Sequence, residues 1–386
     1  MTCVPYNMKK IALVIPSLSV GGAEKICLEL AEMLAKDNIV YIVTFGDKLE
    51  FSLHKSLCYI PLGIGRGVGL RFFNSLLILR QLRCTLQGIN PYGTISFMER
   101  ANIYCRIALF SSGLTFVPTI HATVQSFSDR GRFAQLCINF FYRFGFSKET
   151  KFITVSPKIR DDLSCVYGFT NVDVVPNGLS TEKYQFVSRK PGSRLRLLVV
   201  SRLHPEKQTV IAILATHLLM KKGIPVTLTI IGDGVERFIL ESLVRDLELV
   251  ELVTFLGAVV NPFHSYLDAD CLLVTSRTES FGISIIEAIL CGIPVLSLDC
   301  PTGPKDISTL LDGQGIRLVP FDSQDQGVIA SAFSEIIVSD FYGSDRLSKE
   351  TIAASKVIQD VFSIDRVAGG YLSAIDEIRA RRKSNY

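Results

Sequence analysis

Two carboxylates and two cations carry most of the chemistry this chain could do. Glu279 and Glu287 stand eight positions apart in S-R-T-E-S-F-G-I-S-I-I-E-A-I-L-C-G-I-P-V, which runs from Ser276 to Val295. The stretch reads as the end of a buried strand (Cys271 to Thr275), a polar loop with Glu279, a turn at Phe281 and Gly282, and a short apolar helix opening at Ile283. That helix holds Glu287 and stops at Gly292 and Pro294. The free N–H groups at a helix start accept an anion, and carboxylates on either side accept hydrogen bonds from neutral hydroxyls. As a solvated surface charge, Glu279 needs no special account. Glu287 does, because Ile285, Ile286, Ala288, Ile289 and Leu290 surround it with apolar neighbours, and an unpaired buried carboxylate is costly.

The cations lie in Ser201-Arg202-Leu203-His204-Pro205-Glu206-Lys207, directly after another strand. A diphosphate needs at least two cations, and a guanidinium fork with an ammonium supplies them without a metal. An anion flanked by hydroxyls is the outline of a sugar nucleotide. Gly232-Asp233-Gly234 ends the next strand with a glycine turn suited to lie along a nucleoside, and Gly21-Gly22 makes a similar turn between the first strand and the helix from Ala23 to Lys36. His121 ends a strand on the side where open parallel sheets collect ligand groups, although a lone histidine is more often structural. Asp268-Ala269-Asp270 matches the D-x-D pattern that holds a divalent ion in many metal-dependent sugar transferases. Here it precedes its strand, so it reads as a helix–strand loop at the amino end of the sheet, and no metal site is expected.

These residues need a frame that brings distant loops together. Strands recur at Ile11 to Leu18, Ile39 to Phe45, Gly93 to Met98, Phe116 to His121, Phe152 to Ser156 and Val172 to Pro176. A second series lies at Leu195 to Ser201, Val226 to Ile231, Val253 to Leu256, Cys271 to Thr275, Pro294 to Leu298 and Ile316 to Val319. Helical stretches alternate with both, which predicts α/β architecture: two tandem Rossmann-like, doubly wound domains with an interdomain cleft for a shared ligand. Polar Ser188 to Ser193 reads as the linker. The expected division is 1–187 for the acceptor side, 188–364 for the donor side, and a C-terminal helix over 365–386 packing back toward the first domain. The run Gly63-Ile-Gly65-Arg-Gly67-Val-Gly69 fails the dinucleotide spacing, since its third glycine would fall on Val68, and this disfavours a dehydrogenase.

The chain has 386 residues, 48% hydrophobic and 20% charged, with a net charge of +4, enough apolar content for two cores. The charge is uneven: Met1 to Lys190 carries 22 Lys and Arg against 13 Asp and Glu, leaving 19 against 24 for the remainder. The segments Arg66 to Arg83 and Arg130 to Lys151 mix basic and aromatic residues, a pattern that docks on anionic lipid or packs on the sheet. Ten cysteines without a C-x-x-C pair read as small buried hydrophobes of a reducing compartment. The opening Met8-Lys9-Lys10 and its short apolar run read as a first strand rather than a signal peptide. No nucleic-acid partner is expected.

With these residues in hand, the chain resembles the family 4 retaining glycosyltransferases of GT-B fold. The resemblance runs through Gly21-Gly22-Ala23-Glu24, Pro176-Asn177-Gly178, Ser201-Arg202-Leu203, Glu206-Lys207, Ile231-Gly232-Asp233-Gly234 and the pair Glu279 and Glu287. Asn261-Pro262, Gly292-Ile-Pro294-Val295 and Thr302-Gly303-Pro304 look most like members that build bacterial lipid-linked or surface glycans. The resemblance implies that Arg202 and Lys207 neutralise the donor diphosphate and that Glu287 binds ribose hydroxyls. It implies that Glu279, with the backbone of Phe281, Gly282 and Ile283, holds the donor sugar, that Gly21 and Gly22 approach its phosphate side, and that His121 reaches the sugar.

The implied reaction is metal-independent transfer, with retention, of a hexose or N-acetylhexosamine from a nucleotide-sugar, a UDP-sugar, to a lipid-linked saccharide in polysaccharide, lipopolysaccharide or glycan synthesis. The nucleotide-sugar is a co-substrate and no cofactor is expected. The implied location is cytoplasmic, peripheral on the inner membrane, with the basic N-terminal domain on its anionic surface. Two alternatives stay open: a nucleotide-sugar epimerase of the same fold, and a non-catalytic sugar-nucleotide-binding subunit. Gln208 departs from the family's usual Gly after the Lys, and Gly282 stands where close relatives often have Pro. Neither departure removes a charge.

Overall fold

The computed structural model describes residues 8–64, 71–122, 132–187, 192–342 and 346–384. The glycine run from Gly65 to Gly69, Arg66, Arg130 and the linker positions 188–191 therefore lie outside the described residues. The chain divides into two compact units, Met1–Leu179 with Phe362–Tyr386, and Ser180–Val361. The crossing at Leu179–Ser180 comes eight residues ahead of the boundary expected after 187, because Ser180–Val187 packs against the second unit, where the Val187 N–H reaches Cys291 O at 3.3 Å.

The first unit holds a seven-stranded parallel sheet: β1 (Lys9–Ile15), β2 (Asn38–Thr44), β3 (Leu57–Pro61), β4 (Gly93–Phe97), β5 (Phe116–Ile120), β6 (Phe152–Thr154) and β7 (Val172–Val174), in the order β3-β2-β1-β4-β5-β6-β7. The continuous apolar run Ile11 to Ile15 is fully buried, as a strand covered on both faces must be. Strand β3 escaped the sequence reading: it is an edge strand, only partly buried, and it ends on Pro61, a residue tolerated where no further ladder bond is needed. Helix Ile364–Ser384 belongs to this unit. Its Val367 and Ile375 lie where a Cβ on Gly178 or Gly93 would sit, and Glu377 pairs with the buried ammonium of Lys151 at 2.7 Å.

The second unit holds a six-stranded parallel sheet: β8 (Leu195–Val200), β9 (Val226–Ile231), β10 (Val253–Gly257), β11 (Cys271–Val274), β12 (Val295–Leu298) and β13 (Ile316–Val319), in the order β10-β9-β8-β11-β12-β13. Its core gathers Leu197, Val199, Ile211, Ala215, Leu228, Ile230, Leu273 and Leu296 with Phe333 from helix Gln326–Ile336. Two doubly wound units in tandem are thus what the alternating pattern predicts. The cysteines are less uniform than expected: Cys27, Cys105, Cys271, Cys291 and Cys300 are buried, while Cys58, Cys84, Cys137 and Cys165 are exposed.

Candidate functional site

In the second sheet the strand order reverses between β8 and β11, which pair directly through Leu197 with Cys271 and Leu198 with Leu272. The loops leaving the carboxyl ends of two such strands diverge and leave a crevice, the usual place for a ligand in an open α/β sheet. One of these loops is 201–208, with both candidate cations. The other is 275–282, with Glu279.

Three links join the two loops. The Arg277 N–H donates to Glu206 O at 2.8 Å, the Thr275 hydroxyl donates to Lys207 O at 2.8 Å, and Lys207 Nζ donates to Glu279 Oε2 at 2.6 Å. The Lys207 and Glu279 side chains are 13% and 22% exposed, sheltered enough for the attraction to outlast screening. Arg202 is 69% exposed and reaches Glu206 at 3.3 Å, and Glu206 also takes His204 Nδ1. Each cation therefore rests on a carboxylate of its own unit.

The loop after β12 closes the same region. The Thr302 hydroxyl donates to Glu279 O, and Gly303, at φ +65, lies so close that a Cβ would come within 3.0 Å of Glu279 O and of Phe281 C. Cys300 stands nearby, and burial, reinforced by the Glu279 charge and opposed by Lys207, pushes its thiol up to about 12. It stays protonated and is no nucleophile.

Glu287 lies in helix Ile283–Leu290, is 4% exposed and is fully engaged. Tyr184 OH donates to Oε1 at 3.0 Å and Tyr266 OH donates to Oε2 at 2.7 Å. Burial, then the Glu287 charge, raises the Tyr266 phenol well above its ordinary value, so it remains a fixed donor. The need for partners was legible from the apolar surroundings of Glu287. Their identity was not, because 103 and 21 positions separate the two tyrosines from it.

The glycines after β9 make a close backbone contact. A Cβ on Gly232 (φ +139) would lie 1.8 Å from Ser201 O, and one on Gly234 would lie 2.2 Å from Leu203 O. The Leu203 N–H donates to Asp233 O at 2.9 Å. The turn thus lies flat on the loop that carries Arg202. Asp270 has a separate role at the amino end of β11, taking the Arg196 guanidinium through both oxygens at 2.7 and 3.0 Å.

In the first unit the switch point falls between β1 and β4, and Gly21 and Gly22 open helix Gly22–Leu34 beside it. Gly21 is extended (φ −176), a conformation any residue adopts, and the atom nearest its Cβ direction belongs to the Glu24 side chain. His121 follows β5, stacks on Phe97 at 5.1 Å and meets Thr119 Oγ1 through Nε2 at 2.8 Å. The Thr119 hydroxyl already donates to Ser96 O at 2.7 Å, so its oxygen accepts from His121. This assigns the proton to Nε2 and leaves Nδ1 as an acceptor. Burial lowers the imidazole to about 4, with the Asn177 amide acting the other way.

Two family models match consecutive parts of the chain: Glycosyltransferase Family 4 over residues 20–183 and Glycosyl transferases group 1 over residues 180–329. The chain belongs to the family 4 glycosyltransferases. It is 28% identical over 294 residues to the phosphatidylinositol N-acetylglucosaminyltransferase gpi3 subunit of Schizosaccharomyces pombe, covering 72% of this chain and 59% of that one. It is 22% identical over 313 residues to the N-acetylgalactosamine-N,N'-diacetylbacillosaminyl-diphospho-undecaprenol 4-alpha-N-acetylgalactosaminyltransferase of Campylobacter jejuni, covering 78% and 83%. The first of the curated matches span only 35% to 59% of those relatives' own length. Among solved structures, Anabaena HepE in complex with UDP and glucose shares the fold, with a TM-score of 0.74 at 18% identity over 96% of this chain and 100% of that one.

Two departures of this family 4 chain now have a backbone reading. Gln208 sits at φ +47, in the left-handed region, which a glycine enters freely and which costs another residue about 1 kcal/mol. Its carbonyl still accepts from Ile211 N–H at 2.9 Å. Gly282 sits at φ +86, which proline cannot adopt, so the turn into the Glu287 helix takes a path here that a proline would forbid.

Proposed function

We propose that this chain transfers a hexose or N-acetylhexosamine from a UDP-sugar to a lipid-linked saccharide, with retention of anomeric configuration and without a metal ion. The observation that carries the reading is the Lys207–Glu279 pair at the switch point, with Arg202 on the same loop and Glu287 eight residues further on. A donor diphosphate exchanges with Glu279 on Lys207 and with Glu206 on Arg202. The cations then stabilise the charge that develops as the diphosphate departs, while Glu279, released, accepts from sugar hydroxyls. Glu287 accepts from the ribose. The N–H groups at the start of the Glu287 helix favour the same anion. The acceptor hydroxyl attacks on the face from which the diphosphate leaves, and a diphosphate oxygen takes its proton.

The Campylobacter relative, named for a lipid-linked acceptor, and HepE, solved with UDP and glucose, support the two substrate classes. His121, neutral and with Nδ1 as an acceptor, and the Gly21-Gly22 turn are assigned to the sugar and phosphate sides of the donor.

The decisive experiment incubates the purified protein with a panel of nucleotide-sugars and lipid-linked acceptors and follows nucleotide release and product linkage. Transfer with retention is expected, and Lys207→Ala and Glu287→Ala should each weaken donor binding. Conversion of donor without acceptor would identify an epimerase instead, and binding without turnover would identify a non-catalytic subunit.

The acceptor class also motivates a membrane location, on the cytoplasmic face of the inner membrane. Among the described residues no helix is long and apolar enough to cross a membrane, and the first unit exposes Phe73, Phe110, Leu136, Phe140 and Phe144, each more than 60% accessible. Arginines knit these elements together: Arg83 donates to Ala108 O and Phe110 O at 3.1 Å, and Arg106 donates to Gly145 O at 2.7 Å. Arg80 and Arg143 are exposed on the same elements. Aromatic rings among cations suit an anionic lipid surface.

A further inference from the structure

Glu287 is held by two phenols of unequal standing. Tyr266 is fully buried in helix Phe263–Asp268, packed on all sides. Tyr184 is only half-buried. It stands on Ser180–Val187, the first segment of the second unit. Before it, the Lys183 N–H donates to Ser180 O at 2.9 Å within the segment's own turn; after it, the Val187 N–H donates to Cys291 O and ties the segment down. Gly292, at φ +82, lets the Phe186 ring lie against the helix end, where a Cβ would come within 3.2 Å of the ring. The Tyr184 ring meets Phe263 edge to face at 6.2 Å. The backbone is pinned, then, while the hydroxyl is held by the Glu287 bond, so a rotation of one side chain is enough to withdraw it.

We propose that the Tyr184 hydroxyl is an internal stand-in for a ribose hydroxyl: it satisfies Glu287 Oε1 when no nucleotide is bound and yields that oxygen to the ribose diol on binding. This rests on the reading of Glu287 as the ribose carboxylate. The chemistry is an exchange of one O–H donor for another on the same anionic acceptor, so the hydrogen-bond count of Glu287 is conserved and its charge is never left bare. Nucleotide binding consequently carries the loss of the Tyr184 bond as a built-in opposing contribution. Tyr266 stays in place throughout and keeps the carboxylate plane aimed.

The test is calorimetric binding of UDP, GDP and ADP, and of their 2',3'-dideoxy counterparts, to the full chain and to Tyr184→Phe, which keeps the ring and its contact with Phe263. The variant has no hydroxyl to displace, so the nucleotide that binds should bind on the order of tenfold more tightly, as expected for a hydrogen bond to a charged group. The dideoxy form should gain nothing. An unchanged or weaker affinity, or an equal gain for the ribose and dideoxy forms, would overturn the proposal. Failure of both proteins to bind any of the three nucleotides would instead overturn the underlying reading of Glu287, and this inference with it.

Discussion

Lys207 and Glu279 face each other at 2.6 Å across the point where the second sheet reverses its strand order, 72 positions apart in the chain. Each is the nearest counter-charge of the other, so removing either leaves its partner exposed to the loss. Lys207→Met should weaken donor binding by one to two orders of magnitude, in line with the loss of a charge-assisted contact to a diphosphate. It should also lower stability by about 1–2 kcal/mol, since the pair is sheltered yet not fully buried. A double-mutant cycle with Glu279→Gln, read by urea denaturation, should return a coupling energy clearly above zero. Additive effects would refute the pairing.

Gly232 packs against the 201–203 loop, and its replacement should show in stability as well as in affinity. In Gly232→Ala the new carbon would meet Ser201 O at 1.8 Å on a backbone at φ +139, forcing the 201–203 loop aside at a cost of about 2–4 kcal/mol. Gly223→Ala is the comparison: its φ of +74 is also positive, but nothing lies within 4 Å, so only the local strain of about 1 kcal/mol applies. Similar denaturation midpoints for the two variants would contradict the close approach.

His121 makes a prediction about acid. Burial holds its imidazole down at about 4, whereas an unfolded histidine titrates near 6.5. Between those values the unfolded chain binds the extra proton, so stability rises with pH. The contribution is complete above about pH 6.5, is lost progressively as the pH falls toward about 4, and changes little below that. Urea midpoints measured across this window should fall less steeply for His121→Gln than for the parent, and parallel curves would remove His121 as the cause.

The exposed aromatic residues of the first unit predict association with vesicles containing anionic lipid that weakens as salt is raised. Arg80→Gln with Arg143→Gln should abolish the salt-dependent part, and Phe140→Ser with Phe144→Ser should weaken the rest. Equal binding to neutral vesicles by the parent protein would dismiss the electrostatic contribution.

How much of this was legible in the residues differs from element to element. The apolar runs at Ile11 to Ile15 and Cys271 to Val274 announced buried parallel strands because both faces of such strands are covered. The half-covered edge strand Leu57–Pro61 carried no such signal. Arg202, Lys207 and Glu279 could be drawn to one site because a strand's carboxyl end has a predictable function in open sheets. The Tyr184 and Tyr266 hydroxyls on Glu287 could not, since nothing local marks a phenol that bonds across the fold. Gly232 and Gly234 look like a ligand loop in one dimension, and the structure adds what the sequence could not show, their close contact with the 201–203 loop.

The first unit is closed by a helix that follows the second unit in the sequence. Leu179 donates to Phe362 O at 2.9 Å, Ile364 donates back to Leu179 O at 3.1 Å, and helix Ile364–Ser384 fills the space that Gly93 and Gly178 leave open. The second unit is continuous from Ser180 to Val361. During synthesis the order of completion is therefore inverted. The second unit is continuous as it emerges, while the unit translated first waits, with the groove for that helix uncovered, until helix Ile364–Ser384 leaves the ribosome.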